Sequence, residues 1–184
     1  NKIYKLCKEL WPINRSITGN GVRKTLKIIN KTVKNLKIKE VPSGTKVFDW
    51  TVPLEWNVTE AWVKGPNKKV IIDFKKNNLH LMSYSTPIHK KLSLKELNNH
   101  LYSIKNLPNA IPYVTSYYKK NWGFCLAHNM RKKLKKGNYE VKIKSILKKG
   151  SLTYGEIILP GKSKKEIFLS TYVCHPSMAN NELS

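Results

Sequence analysis

Apolar residues recur at helical spacing at the start of the chain. Ile3, Leu6 and Leu10 predict a first helix, which Trp11-Pro12 stops because proline offers no backbone N–H and crowds the preceding turn. Val22, Leu26, Ile29 and Val33 predict a second, with Thr18-Gly19-Asn20-Gly21 as its turn and amino-terminal cap. From about Val41 the period shortens. Lys46–Thr51, Trp56–Lys64, Lys69–Phe74 and Leu79–Ser85 are short runs rich in Val, Ile, Trp, Phe and Tyr. They are broken by turns such as Gly65-Pro66-Asn67 and Asn77-Asn78, and so predict antiparallel strands. Ser93-Leu94-Lys95-Glu96 is a capping box, which predicts a helix carrying Leu94, Leu97 and Leu101. Ile111–Tyr118 and Trp122–Ala127 return to strand chemistry, and a short basic helix is expected near Asn129–Leu134. Tyr139–Leu147, Leu152–Leu159 and Glu166–Cys174 then predict three strands with hairpin-length connections. The pattern is a helical opening, a β-rich middle open to reading as an insertion, and entry into a larger sheet.

The last of these runs carries the most pointed chemistry. An apolar, β-branched segment ends in Cys174-His175-Pro176, and Asn180-Asn181-Glu182 follows within seven residues. Open α/β sheets present ligand-binding residues just past the carboxyl ends of their strands. An imidazole fixed there by a dry strand and a proline is what a first-row metal needs, and neighbouring carboxylates could complete its shell or bridge two ions. A single His in isolation is more often structural.

Composition narrows the class. The chain has 184 residues, enough for one large domain or two small ones, with 40% hydrophobic and 25% charged residues, as in ordinary globular proteins. It has no run approaching the roughly 18 apolar residues of a membrane span. It opens at Asn1 with no charged-then-apolar leader, so a trimmed start and no secretory segment are expected. Cys7, Cys125 and Cys174 are odd in number and lack C-x-x-C spacing, which favours a reducing cytoplasm. The tripeptides at Asn14, Asn30 and Asn57 match glycosylation sequons by chance in so Asn-rich a chain. The formal charge of +24 attracts polyanions in general, but all basic residues except Arg15, Arg23 and Arg131 are lysines, spread along the chain. Readers of base edges use Arg forks, and no nucleic-acid motif accompanies the charge, so no specific nucleic-acid partner is expected.

Other clusters read more simply as structure. Adjacent strand residues face opposite ways, so Cys174 is poorly placed to pass a proton to His175 and reads as a buried structural thiol. Asp73, His80 and His89 lack ligand spacing. Trp50, Trp56, Trp62 and Trp122 could line a sugar or peptide groove but read first as packing. Gly19-Asn20-Gly21, with Arg15 and Arg23, could cradle an anion; it lacks a full phosphate fingerprint and reads first as a cap and turn.

Four stretches carry a family resemblance. Tyr154-Gly155-Glu156-Ile157-Ile158-Leu159-Pro160-Gly161, followed by Glu166 to His175, resembles the strand–turn–strand approach to the first metal ligand of di-zinc aminopeptidases. The ending Met178-Ala179-Asn180-Asn181-Glu182-Leu183-Ser184 is similar to that family's Gly-Ala-Asn-Asp-Asn-Ala-Ser motif. Leu10 to Arg23 and Phe48-Asp49-Trp50-Thr51-Val52-Pro53 resemble more closely the aminopeptidase-like proteins associated with bacterial polysaccharide biosynthesis. The resemblance implies an α/β zinc-exopeptidase-like domain formed by residues 1–40 and 128–184, with an inserted β-rich domain at 41–127. It implies one or two zinc ions in the full-length protein, a peptide or amide small-molecule substrate, and His175 as the first zinc ligand. Asn181 matches the bridging position, where the family has Asp, and Glu182 stands one residue on. Ser177 replaces the family's Asp two residues after the histidine. The general-base Glu would lie beyond Ser184, so this stretch alone would be inactive. The alternatives are a catalytically degenerate binding or scaffolding module of the same fold and, more weakly, a basic polyanion-binding protein.

Overall fold

The structure, a computed structural model, describes residues 2–177, so Asn181 and Glu182 lie outside the described residues. The chain divides into two compact units, residues 1–55 with 149–184, and residues 56–148.

The first unit opens with α1 (Lys2–Leu10) and α2 (Asn20–Thr32), as the helical spacing predicts. Val22, Thr25, Leu26 and Ile28 are the buried residues of α2, and Leu10, Ile13 and Ile28 form a small cluster with Leu6, Cys7 and Ile29 packed on it. Val33 falls past the end of the helix and is exposed. Strand β1 (Lys37–Pro42), which the sequence reading missed, pairs antiparallel with β10 (Ser151–Glu156), from Lys37 opposite Glu156 to Pro42 opposite Ser151. The expected strand Lys46–Thr51 is instead a tight hairpin of β2 (Lys46–Val47) and β3 (Trp50–Thr51). Phe48 turns its corner at φ 51 and is fully exposed.

The second unit is built on a four-stranded sheet of order β5-β4-β9-β6, from β4 (Glu55–Lys64), β5 (Val70–Asp73), β6 (Ile88–Ser93) and β9 (Asn138–Lys148). Glu55, the first residue of β4, belongs to the first unit. Alternation places Ala61, Val63, Ile72, Leu92, Val141 and Ile143 on the buried side and Glu60, Trp62, Lys64, Glu140 and Lys142 on the other. The predicted capping box is present: the Ser93 hydroxyl accepts from the Glu96 N–H, and Glu96 accepts from the Ser93 N–H, opening the short α3 (Leu94–Asn98). A parallel pair, β7 (Leu101–Tyr102) and β8 (Phe124–Cys125), and the one-turn α4 (His128–Lys132) complete it.

Leu79–Ser85 is not a strand. A 3-10 turn at Asn78–His80 leads into a buried loop in which Tyr84 takes φ 64. Ser85 organises that loop: its hydroxyl donates to Met82 O at 2.7 Å, and its carbonyl accepts from Trp56 Nε1 at 3.0 Å and from the Ser145 hydroxyl at 2.7 Å. Polar partners thus hold an apolar run that its composition assigns to a sheet. Ile111–Tyr118 likewise contributes a single bridge, Thr115 to Ser83.

The units differ in how well they cover their apolar surface. Of the large hydrophobics exposed among the described residues, fifteen of 21 belong to the first unit, while it supplies six of the 23 buried ones. The first unit therefore leaves more apolar surface uncovered than the second.

Candidate functional site

The expected buried strand Glu166–Cys174 is absent: the segment has no regular structure, and Ile167, Phe168 and Leu169 are 91%, 88% and 89% exposed. A strand exists only through ladder bonds to a neighbour, and no residue of this segment pairs with one among the described residues. His175 follows this exposed run and is half-buried, beside the buried Pro176. Its Nδ1 accepts the Ser177 backbone N–H at 3.1 Å. A neutral ring held this way has its proton on Nε2. Ligation through Nε2 would require that proton to move to Nδ1, in place of the bond from Ser177. The Tyr172 ring lies 6.5 Å away, centroid to centroid.

No group of three His, Cys, Asp or Glu among the described residues could hold a metal ion. The described residues alone therefore do not fit a zinc centre, which needs about four ligands. His175 is described; Asn181 and Glu182 are not.

The other candidates are engaged elsewhere. Asp73 accepts from the Lys75 N–H at 2.9 Å, His80 Nδ1 contacts Cys125 O at 2.8 Å, and His89 Nε2 lies 2.8 Å from Glu140 Oε1. Trp56 is buried, Trp122 stacks on His100 with centroids 3.7 Å apart, and Trp62 lies on the outer face of the sheet. Cys174 is half-buried and outside any disulfide, and Cys125 is fully buried, its pKa pushed up to about 12 by desolvation. The anion-cradle reading of the α2 start loses Arg23, whose guanidinium forks onto Glu55, with Nη2 to Oε1 at 2.7 Å and Nη1 to Oε2 at 2.9 Å. That fork and the nearby Glu40 raise the Arg23 pKa, the hydrogen bond to Glu55 being the largest cause. Gly21 has its own reason: a Cβ there would lie 1.8 Å from Asn14 O, so the loop before α2 crosses it at backbone contact.

Sequence reasoning missed one juxtaposition. The Ser103 hydroxyl lies 3.0 Å from His128 Nδ1, and Arg131 donates to Leu101 O, Asn98 O and Asn98 Oδ1. These bonds tie α4 to the end of α3 and to β7. The partners are 25 to 33 residues apart, and no local motif marks them.

Residues 4–184 match the family model described as a domain of unknown function, DUF4910. The chain belongs to that family. This DUF4910 chain is 56% identical over 183 residues to a Clostridium acetobutylicum protein provisionally named a polysaccharide biosynthesis protein with aminopeptidase-like domain. The match covers 100% of this chain and 42% of that protein. A crystal structure of a protein from the same organism, provisionally named a peptidase, superposes with a TM-score of 0.91 at 56% identity, covering 97% of this chain and 42% of the other. The DUF4910 chain thus spans about two-fifths of the length of these relatives and shares the mixed α/β fold of that part. Among the described residues no helix is long and apolar enough to cross a membrane.

Proposed function

We propose that the full-length protein containing this chain is an aminopeptidase-like hydrolase of peptide or related amide bonds, acting in polysaccharide biosynthesis. The observation that carries this reading is the 56% identity, across the whole chain, to a relative named for both properties. In this reading residues 1–40 and 128–184 belong to the zinc-exopeptidase-like domain, most of them within the first unit, and His175 is one ligand of a zinc site whose general-base Glu lies beyond Ser184. The exposed Ile167–Leu169 run supports it: such a segment becomes a buried strand once the rest of the longer polypeptide supplies its sheet neighbours. Cys7, Cys125 and Cys174, none of them in a disulfide among the described residues, suit a cytoplasmic setting.

A second reading, a catalytically degenerate module, draws on Asn181 and Ser177, which stand where the resembled pattern has carboxylates. An amide oxygen neutralises no metal charge. Assay of the full-length protein against aminoacyl-amide and dipeptide substrates separates the two. The hydrolase reading expects turnover that a chelator abolishes and zinc restores. Absence of turnover across the panel, with zinc supplied and the fold intact, would favour the module.

A further inference from the structure

The charge of the second unit is unevenly compensated. Residues 56–148 hold nineteen of the 35 basic side chains but four of the 11 acidic ones, a net +15. All four acids are already engaged. Glu60 pairs with Lys142 at 3.0 Å and accepts from Trp62 Nε1 at 2.7 Å. Glu140 meets His89, Glu96 closes the capping box, and Asp73 caps the turn at Lys75.

Five of the unit's eighteen lysines gather at one end of the four-stranded sheet, around Gly137. The β4–β5 turn reaches this point, since a Cβ on Gly137 would lie 2.7 Å from Pro66 Cγ. The start of α3 does too, through Leu94 N–H to Gly137 O at 3.1 Å, and Tyr139 OH donates to Lys135 O at 2.7 Å. Lys68, Lys69, Lys95, Lys135 and Lys136 are exposed there and form no ion pair among the described residues. Lys64, at the adjoining end of β4, places its ammonium 4.2 Å from the centroid of the Trp62 ring. The hydrogen bond to Glu60 fixes that indole on the outer face, and the His89 ring stands edge-on to it at 6.2 Å.

We propose that this end of the sheet binds an acidic polysaccharide, its carboxylates on the lysine ammoniums and a pyranose ring against Trp62. Charge complementarity selects a polyanion. The chemistry favours a glycan over a nucleic acid because the unit's one arginine, Arg131, is consumed by Asn98 and Leu101, leaving point charges without forks. The C–H face of a pyranose suits a single fixed indole, and Lys64 can swing off the ring to meet the sugar carboxylate. No residue of the His175 segment takes part, so this proposal and the hydrolase reading stand or fall separately.

The test is a titration of the full chain with a uronic-acid oligosaccharide, a neutral oligosaccharide of equal length, and single-stranded DNA of equal charge. Binding of the uronate at least about tenfold tighter than either is expected. Lys135→Glu with Lys136→Glu should weaken it about tenfold or more. Lys119→Glu with Lys120→Glu, the same charge change at the other end of the sheet, should change it less than about threefold. Trp62→Ala should weaken the uronate and Trp62→Phe recover most of the loss, with the fold of each variant checked by circular dichroism. DNA binding as tight as the uronate, equal effects of the two double variants, or indifference to the residue at position 62 would each overturn the proposal.

Discussion

Removing the guanidinium of Arg23 should be among the most damaging single changes in the first unit. Glu55 is a carboxylate whose side chain is 8% exposed, and Arg23 supplies it with two charge-assisted bonds of 2.7 and 2.9 Å, while the Ser151 N–H reaches Oε2 at 3.3 Å. Two unit charges about 4 Å apart attract by roughly 4 kcal/mol at an effective dielectric near 20, and most of this offsets the cost of desolvating them. Arg23→Ala keeps the cost and loses the offset, so it should destabilise by about 3–5 kcal/mol. Glu55→Gln keeps an acceptor for the half-buried arginine and should cost about 1.5–3 kcal/mol. Arg23→Lys, which cannot fork, should fall between wild type and Arg23→Ala. Replacing both partners by Met should be milder than Arg23→Ala, because no charge is left stranded. Hydrogen exchange at the α2 amides reads this unit directly; a loss of 3–5 kcal/mol accelerates exchange by roughly 150-fold or more. Acceleration of less than about fivefold in Arg23→Ala would refute the reasoning.

Further predictions follow from single sites. Gly21→Ala should destabilise by more than about 3 kcal/mol in urea unfolding, since the added methyl collides with the Asn14 carbonyl rather than a yielding side chain. Cys125, with a thiol pKa near 12, should resist alkylation at pH 8 while Cys7 and Cys174 react, and its labelling should track unfolding in denaturant. Glu60, Glu96 and Glu140 are held below the ordinary value of 4.5, chiefly by the Trp62 indole N–H, the Ser93 backbone N–H and His89 respectively. Depressed carboxylates bind fewer protons folded than unfolded, so their stabilisation is present above about pH 4.5 and is lost as pH falls through the depressed values. Carboxyl NMR titrations should give midpoints under 4.5 at all three.

What the sequence disclosed follows the range over which its signals act. Helical spacing in α1 and α2, the Ser93 cap, and the alternation in β4 and β9 are local, and each element forms where expected. Strands β1 and β6 were hidden because Lys37-Ile38-Lys39-Glu40 and His89-Lys90-Lys91 put charges where alternation calls for apolar residues; each is a partner chosen by a distant strand, β10 or β9. The 79–85 run was misread because its hydrogen bonds go to Trp56, Gly123 and Ser145, far along the chain. Glu166–Cys174 has strand composition and no ladder, for want of a neighbour. The Arg23–Glu55 fork, 32 residues apart, leaves no local trace. His175 was legible as a chemically pointed residue; Asn181 and Glu182, named with it, lie outside the described residues.

Zinc content of the full-length protein, measured by elemental analysis beside its His175→Ala variant, tests the hydrolase account most directly. One or two tightly held ions per chain, diminished in the folded variant, is the predicted result. A wild-type protein that binds no zinc on addition, or a variant that retains the full complement, would contradict it.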